Sequence, residues 1–144
     1  MEQRLSLITL GVADLARAKE FYEKIVGWKP APSPPEIAFF DLGGVIFSLF
    51  PDSELAKDYG GKSSKASYQG FALAHNVRSP NEVDALFAKL KTRGAHIVKE
   101  PEKVFWGGYS GYFADPDGHK WEIAFNPYWT ILGDGRIALQ PPAG

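Results

Sequence analysis

Along the 144-residue chain the spacing of apolar positions switches from a period of two to a period of 3.6 and back, and it does so twice in the same order. Residues 5–12 (LSLITLGV) are predicted as a strand, after which Asp14 opens a helix. The helix stripe is Leu15, Ala18, Phe21, Tyr22 and Ile25, and Gly27 ends it. Three strands follow at residues 29–32, 36–42 and 45–50, the last two joined at Gly43-Gly44, which suits a tight hairpin. After a polar interval, strand character resumes at residues 69–77, and a second helix is announced by Ser79 as N-cap, Pro80 and Glu82. Its stripe is Val83, Leu86, Phe87 and Leu90, with Gly94 at its end, and strands follow at residues 96–99, 105–114 and 120–125.

The pattern therefore predicts one α+β domain over residues 1–144, built from two βαβββ modules. The first spans residues 1–52 and the second 68–127. Residues 53–67 join them: a short helix candidate (SELAKDY), then GGKSSKAS, the composition of a flexible linker. Residues 128–144 form a C-terminal extension whose Trp129, Ile131, Leu132, Ile137 and Leu139 are too apolar to stand in water, so it covers a pocket or a second subunit.

Composition narrows the function classes. With 44% hydrophobic, 23% charged and 14% aromatic residues the chain is ordinary globular material, long enough for one sizeable core. A net charge of -1 with scattered Lys and Arg leaves no basic footprint for nucleic acid. No apolar run is long enough for a membrane span, and the opening apolar stretch is cut off at once by Asp14 and Arg17, so it reads as a strand and not as a leader. The absence of cysteine removes disulfides, thiolate metal sites and cysteine nucleophiles, and fits a cytoplasmic location.

Short motifs add little chemistry. Asp115-Pro116-Asp117-Gly118 is read as a hairpin turn, because an EF-hand would need further oxygen ligands that do not follow. The string from Gly133 to Ala138 matches G-x-G-x-x-A, but Pro141-Pro142 forbid the helix that would receive a pyrophosphate. Ser110 in GYSGY lacks the glycine of a nucleophile elbow at Tyr112 and has no partner histidine at a diagnostic spacing.

The helix opening VADLARAKEFYEKIVGW and the hairpin GYFADPDGHKWEIAFNP, in their paired-module order, resemble the vicinal oxygen chelate superfamily of glyoxalases, bleomycin-resistance proteins and extradiol dioxygenases. That resemblance implies two paired modules whose mixed sheets curl around a concave cavity. It also implies that metal-dependent members carry a His at the place of Leu7, a carboxylate within residues 45–50 and a second His just after Gly70, where Phe71 stands. Of those ligands only the final acid, Glu122, is present, so the chain reads as a metal-poor member with no metal ion and no cofactor.

The three histidines do not rebuild the set. His75 lies four residues from Phe71, roughly 13 Å at about 3.3 Å per residue. His119 is three residues from Glu122, an odd offset that points to the opposite face, and His96 sits just past a helix end. Taking Glu122 as inward, as the resemblance implies, Trp121, Ile123 and Phe125 pack under the helices while Glu122 and Ala124 face the cavity. Leu7 and Thr9 line it from the first strand; Phe71, Leu73 and His75 from the fifth. Tyr112 and Ser110 oppose Glu122 and Ala124 across the last hairpin, with Trp106 further along.

Two functions follow. The first is a small-molecule binding protein, akin to bleomycin-resistance proteins, that holds an apolar or aromatic ligand in a metal-free cavity oriented by Glu122. The second is a glyoxalase-like or dioxygenase-like enzyme, a lyase or isomerase. There Glu122 is a general base of raised pKa assisted by Tyr112 or His75, or one ligand of a weak metal site. A homodimer is expected from the resemblance.

Overall fold

The computed structural model describes residues 1, 3, 5–58, 69 and 71–138 of the chain. These fall into two compact units, Met1–Tyr68 and Gln69–Gly144. The GGKSSKAS segment lies outside the described residues.

In the first unit β1 (Leu7–Val12), β2 (Ala38–Asp41) and β3 (Ile46–Pro51) form a sheet of order β1-β3-β2, with β1 parallel and β2 antiparallel to β3. Helix α1 (Leu15–Glu20) is capped by Asp14, whose carboxylate accepts from the Arg17 N–H at 3.0 Å, and it widens into a π-helical segment, Phe21–Val26. That widening, which the apolar stripe alone did not foretell, buries the consecutive Phe21 and Tyr22 together. Tyr22 packs on Phe47 with ring centroids 4.8 Å apart, and Phe40 and Trp28 complete the aromatic core. The predicted strand at 29–32 is reduced to a single bridge, Ala31 to Phe39. Pro30 and Pro32 lack the N–H groups that would extend a ladder. The predicted short helix is α2 (Asp52–Asp58).

In the second unit β4 (Leu73–Val77), β5 (His96–Lys103), β6 (Tyr109–Ala114) and β7 (Lys120–Phe125) form a sheet of order β4-β7-β6-β5, in which β4 and β7 are parallel and the other pairs antiparallel. Helix α3 (Pro80–Thr92) starts as expected: Ser79 Oγ accepts from the Glu82 N–H at 3.2 Å, and the Glu82 carboxylate accepts from the Arg78 N–H at 2.5 Å. Val83, Phe87 and Leu90 face the sheet and are buried, as are Phe113, Trp121 and Ile123.

Gly111 is what lets helix and sheet approach. A Cβ there would lie 2.7 Å from Phe87 Cζ, 2.8 Å from the Lys99 carbonyl oxygen and 2.9 Å from Pro101 N. The predicted strand at 105–114 begins only at Tyr109, because residues 104–108 make a turn in which Gly107 adopts φ +95° and its N–H bonds to the Val104 carbonyl at 3.0 Å. β5 correspondingly runs on to Lys103. The extension contributes a two-stranded hairpin, β8 (Thr130–Ile131) with β9 (Ile137–Ala138). No helix among the described residues is long and apolar enough to cross a membrane.

Candidate functional site

Strand alternation divides the second sheet into two faces, and Gly111 tells which is which: its missing Cβ points at Phe87 of α3, so Gly111 and its partner Ile123 face the helix. Tyr112 and Glu122, each one residue away, are paired with one another on the opposite face. Ser110 pairs with Ala124 there too, the arrangement expected from a symmetric turn at Asp115–Gly118. That turn is built by the buried Asp115, whose carboxylate accepts from the Asp117 and His119 N–H groups at 2.9 Å each.

Register completes two rows across the four strands. Lys99, Tyr112, Glu122 and Ala74 make the first, and Glu102, Ser110, Ala124 and Asn76 the second. Tyr112 and Glu122 are direct cross-strand partners, so the phenol stands beside the carboxylate. Partial burial first, then the Glu122 charge, push the phenol above its ordinary value of 10.0, while Lys99 acts in the other direction. Lys99 is itself held above 10.5, first by its hydrogen bond to Glu102, with Nζ to carboxylate 2.9 Å, and more weakly by the charges of Tyr112 and Glu122. The result is one face on which a phenol, two carboxylates and an ammonium stand on adjacent strands beside small neighbours, Ala74, Ala124 and Ser110, with Lys99 and Glu102 ion-paired.

Several expected positions lie elsewhere. β4 pairs with β7 so that Ala74 and Asn76 share the Glu122 face, whereas Leu73 and His75 stand level with Trp121 and Ile123 on the α3 side. The expectation that Phe71, Leu73 and His75 line the Glu122 face was therefore offset by one residue, which inverts every side chain of a strand. Phe71 sits 6.2 Å, ring to ring, from His119, and His119 is buried with Nδ1 2.9 Å from the Gln69 side chain. Trp106 lies in the β5–β6 turn and not along β6. Its ring packs over Gly108, where a Cβ would fall 1.9 Å from it.

His75 is exposed in a groove beside α3, and the protein around it still displaces enough water to lower its pKa below 6.5, against the opposing pull of Glu82. In the first unit Leu7 and Thr9 do share a face, the one turned away from the Tyr22–Phe47 core, with Leu7 exposed. Thr9 and the buried Ser48 face each other there with their hydroxyls 2.5 Å apart. Lys99 was missed because β5 carries two register shifts, one on each side of it, so counting residues from His96 does not reveal its partner. The pairing of a lysine with Tyr112 was the only signal, and it required the sheet order.

The sequence pattern of the Glyoxalase/Bleomycin resistance protein/Dioxygenase superfamily matches residues 4–123. A metallothiol transferase FosB from Staphylococcus epidermidis is 27% identical over 123 residues, covering 85% of this chain and 84% of that protein. An uncharacterised protein of Mycobacterium bovis is 31% identical over 120 residues, with 79% and 78% covered. Among solved structures, a glyoxalase-related enzyme from Fulvimarina pelagi superposes with a TM-score of 0.84 at 39% identity, covering 95% of this chain and 98% of the other. A glyoxalase/bleomycin resistance protein/dioxygenase from Nocardioides superposes at 0.75 with 25% identity, covering 87% and 84%.

Proposed function

Because the chain belongs to the glyoxalase/bleomycin resistance protein/dioxygenase superfamily, we propose that it binds a small apolar or aromatic molecule without a metal ion, at the face carrying Glu122 and Tyr112. The observation that carries this reading is the company Glu122 keeps: the Tyr112 phenol opposite it across the β6–β7 pair and Lys99 paired with Tyr112 on the other side. A divalent ion needs several N, O or S ligands to offset its dehydration. Among the described residues no three His, Cys, Asp or Glu side chains group together to provide them. The donor set therefore does not fit the metal that the family implies, and Lys99 adds a charge of the metal's own sign.

A ligand polar group would be oriented by the Tyr112–Glu122 pair, with small side chains leaving room for its apolar body. The test is elemental analysis of purified protein together with thermal shift in zinc, nickel, manganese and iron. Less than a tenth of an equivalent of bound metal and no metal-dependent rise in Tm are expected; one tightly held equivalent would overturn the reading.

A second reading is favoured by the FosB relatives, which are named as enzymes. In it Glu122 is a general base beside Tyr112, while His75, on the far side of the sheet, takes no part. Glu122→Gln separates the two: a binder keeps its affinity for uncharged ligands, and a base catalyst loses turnover. We propose further that the protein is a cytoplasmic homodimer; sedimentation as a monomer at micromolar concentration would refute the dimer.

A further inference from the structure

Along the edge strand β4 of the second sheet, a groove of about 830 Å³ runs between β4, α3 and the β8–β9 hairpin. Its volume is within the range of small-molecule sites, roughly 300–1,000 Å³. Leu86 from α3 and Ile131 and Ile137 from the hairpin give it apolar walls. The hairpin is held in place by a specific bond: the Arg78 guanidinium donates to the Leu132 carbonyl at 2.8 Å.

The charges around this groove are unbalanced. Arg78, Lys89 and Arg136 line it against one acid, Glu82, whose carboxylate is already engaged by the Arg78 N–H. Arg136 is ion-paired with Asp134, Nε to carboxylate 2.8 Å. Lys89 is exposed on α3 and carries no ion pair among the described residues, so its ammonium is the cation left for a ligand.

We propose that this groove is a second binding site, for a small amphipathic anion: an aromatic or aliphatic carboxylate whose body lies on Leu86, Ile131 and Ile137 and whose head meets Lys89. The apolar walls supply the attraction that an exposed cation alone cannot, and the cation selects the anion over its neutral analogue. The groove shares Ala74 and Asn76 with the Glu122 face but includes none of Tyr112, Glu122 or Lys99.

The test uses 4-phenylbutyrate and its uncharged twin 4-phenylbutyramide, titrated into the full chain and followed by amide chemical shifts. Saturable changes are expected in β4, α3 and β8–β9, with the carboxylate bound more tightly than the amide. Lys89→Glu, an exposed substitution whose fold is verified by an unchanged spectrum elsewhere, should weaken phenylbutyrate about tenfold and phenylbutyramide less than about twofold. Ile137→Ser should weaken both. Changes confined to β6 and β7, a failure to saturate at millimolar concentration, or equal losses for both probes in Lys89→Glu would each overturn the proposal.

Discussion

Tyr112 and Glu122 stand opposite one another on β6 and β7, on the face of the sheet that α3 does not cover. Partial burial and the Glu122 charge both favour the neutral phenol, so ionisation of Tyr112 opposes the folded state.

The pH dependence follows from that sign. The folded phenol titrates above 10.0, so its contribution is complete below pH 10 and is lost as pH rises through the folded value. Carbon-13 labelling of tyrosine should show Tyr112 ionising above the ordinary value. In Glu122→Gln its titration should move back toward 10.0, and an unchanged titration in that variant would remove Glu122 as the cause.

On the acid side His75 is the group to watch. Its folded pKa lies below 6.5, mainly because protein displaces water around it, so the neutral ring is the form compatible with the fold. Any contribution is therefore present above pH 6.5 and fades as pH falls toward the folded value. His75→Gln should flatten the decline of Tm between pH 6.5 and 5. The exposure of His75 in its groove keeps the effect small, and a steeper decline in the variant would contradict the assigned direction.

Gly111→Ala tests the close contact of α3 with the sheet. The new methyl would meet Phe87 Cζ at 2.7 Å and two backbone atoms, Lys99 O and Pro101 N, below 3.0 Å. A side chain can swing away, but the β5 backbone opposite cannot do so without breaking its pairing with β6. Overpacking of this kind costs about 1–3 kcal/mol, read as a lower denaturant midpoint. Adding Phe87→Leu should restore only part of it, since both backbone contacts remain; full restoration would show that the Phe87 ring was the whole obstacle.

How much of this was legible in the sequence depends on whether the deciding interaction was local. Ser79, Pro80 and Glu82 specify the start of α3 through groups a few residues apart, and Asp115 specifies its turn likewise. The inward burial of Trp121 and Ile123 against Glu122 follows from alternation within one strand. Because the turn is short, the opposition of Tyr112 to Glu122 follows as well. What only the tertiary structure decided is long-range. The parallel pairing of β4 with β7 has no turn to set its register, and a one-residue offset moved Leu73 and His75 to the α3 side. Two irregularities in β5 brought Lys99 beside Tyr112, and the bond from Arg78 to Leu132 tied the C-terminal hairpin to the β4–α3 junction. Short-range patterns travel with the chain; the meeting of segments about 50 residues apart is settled by packing, which no single stretch of sequence contains.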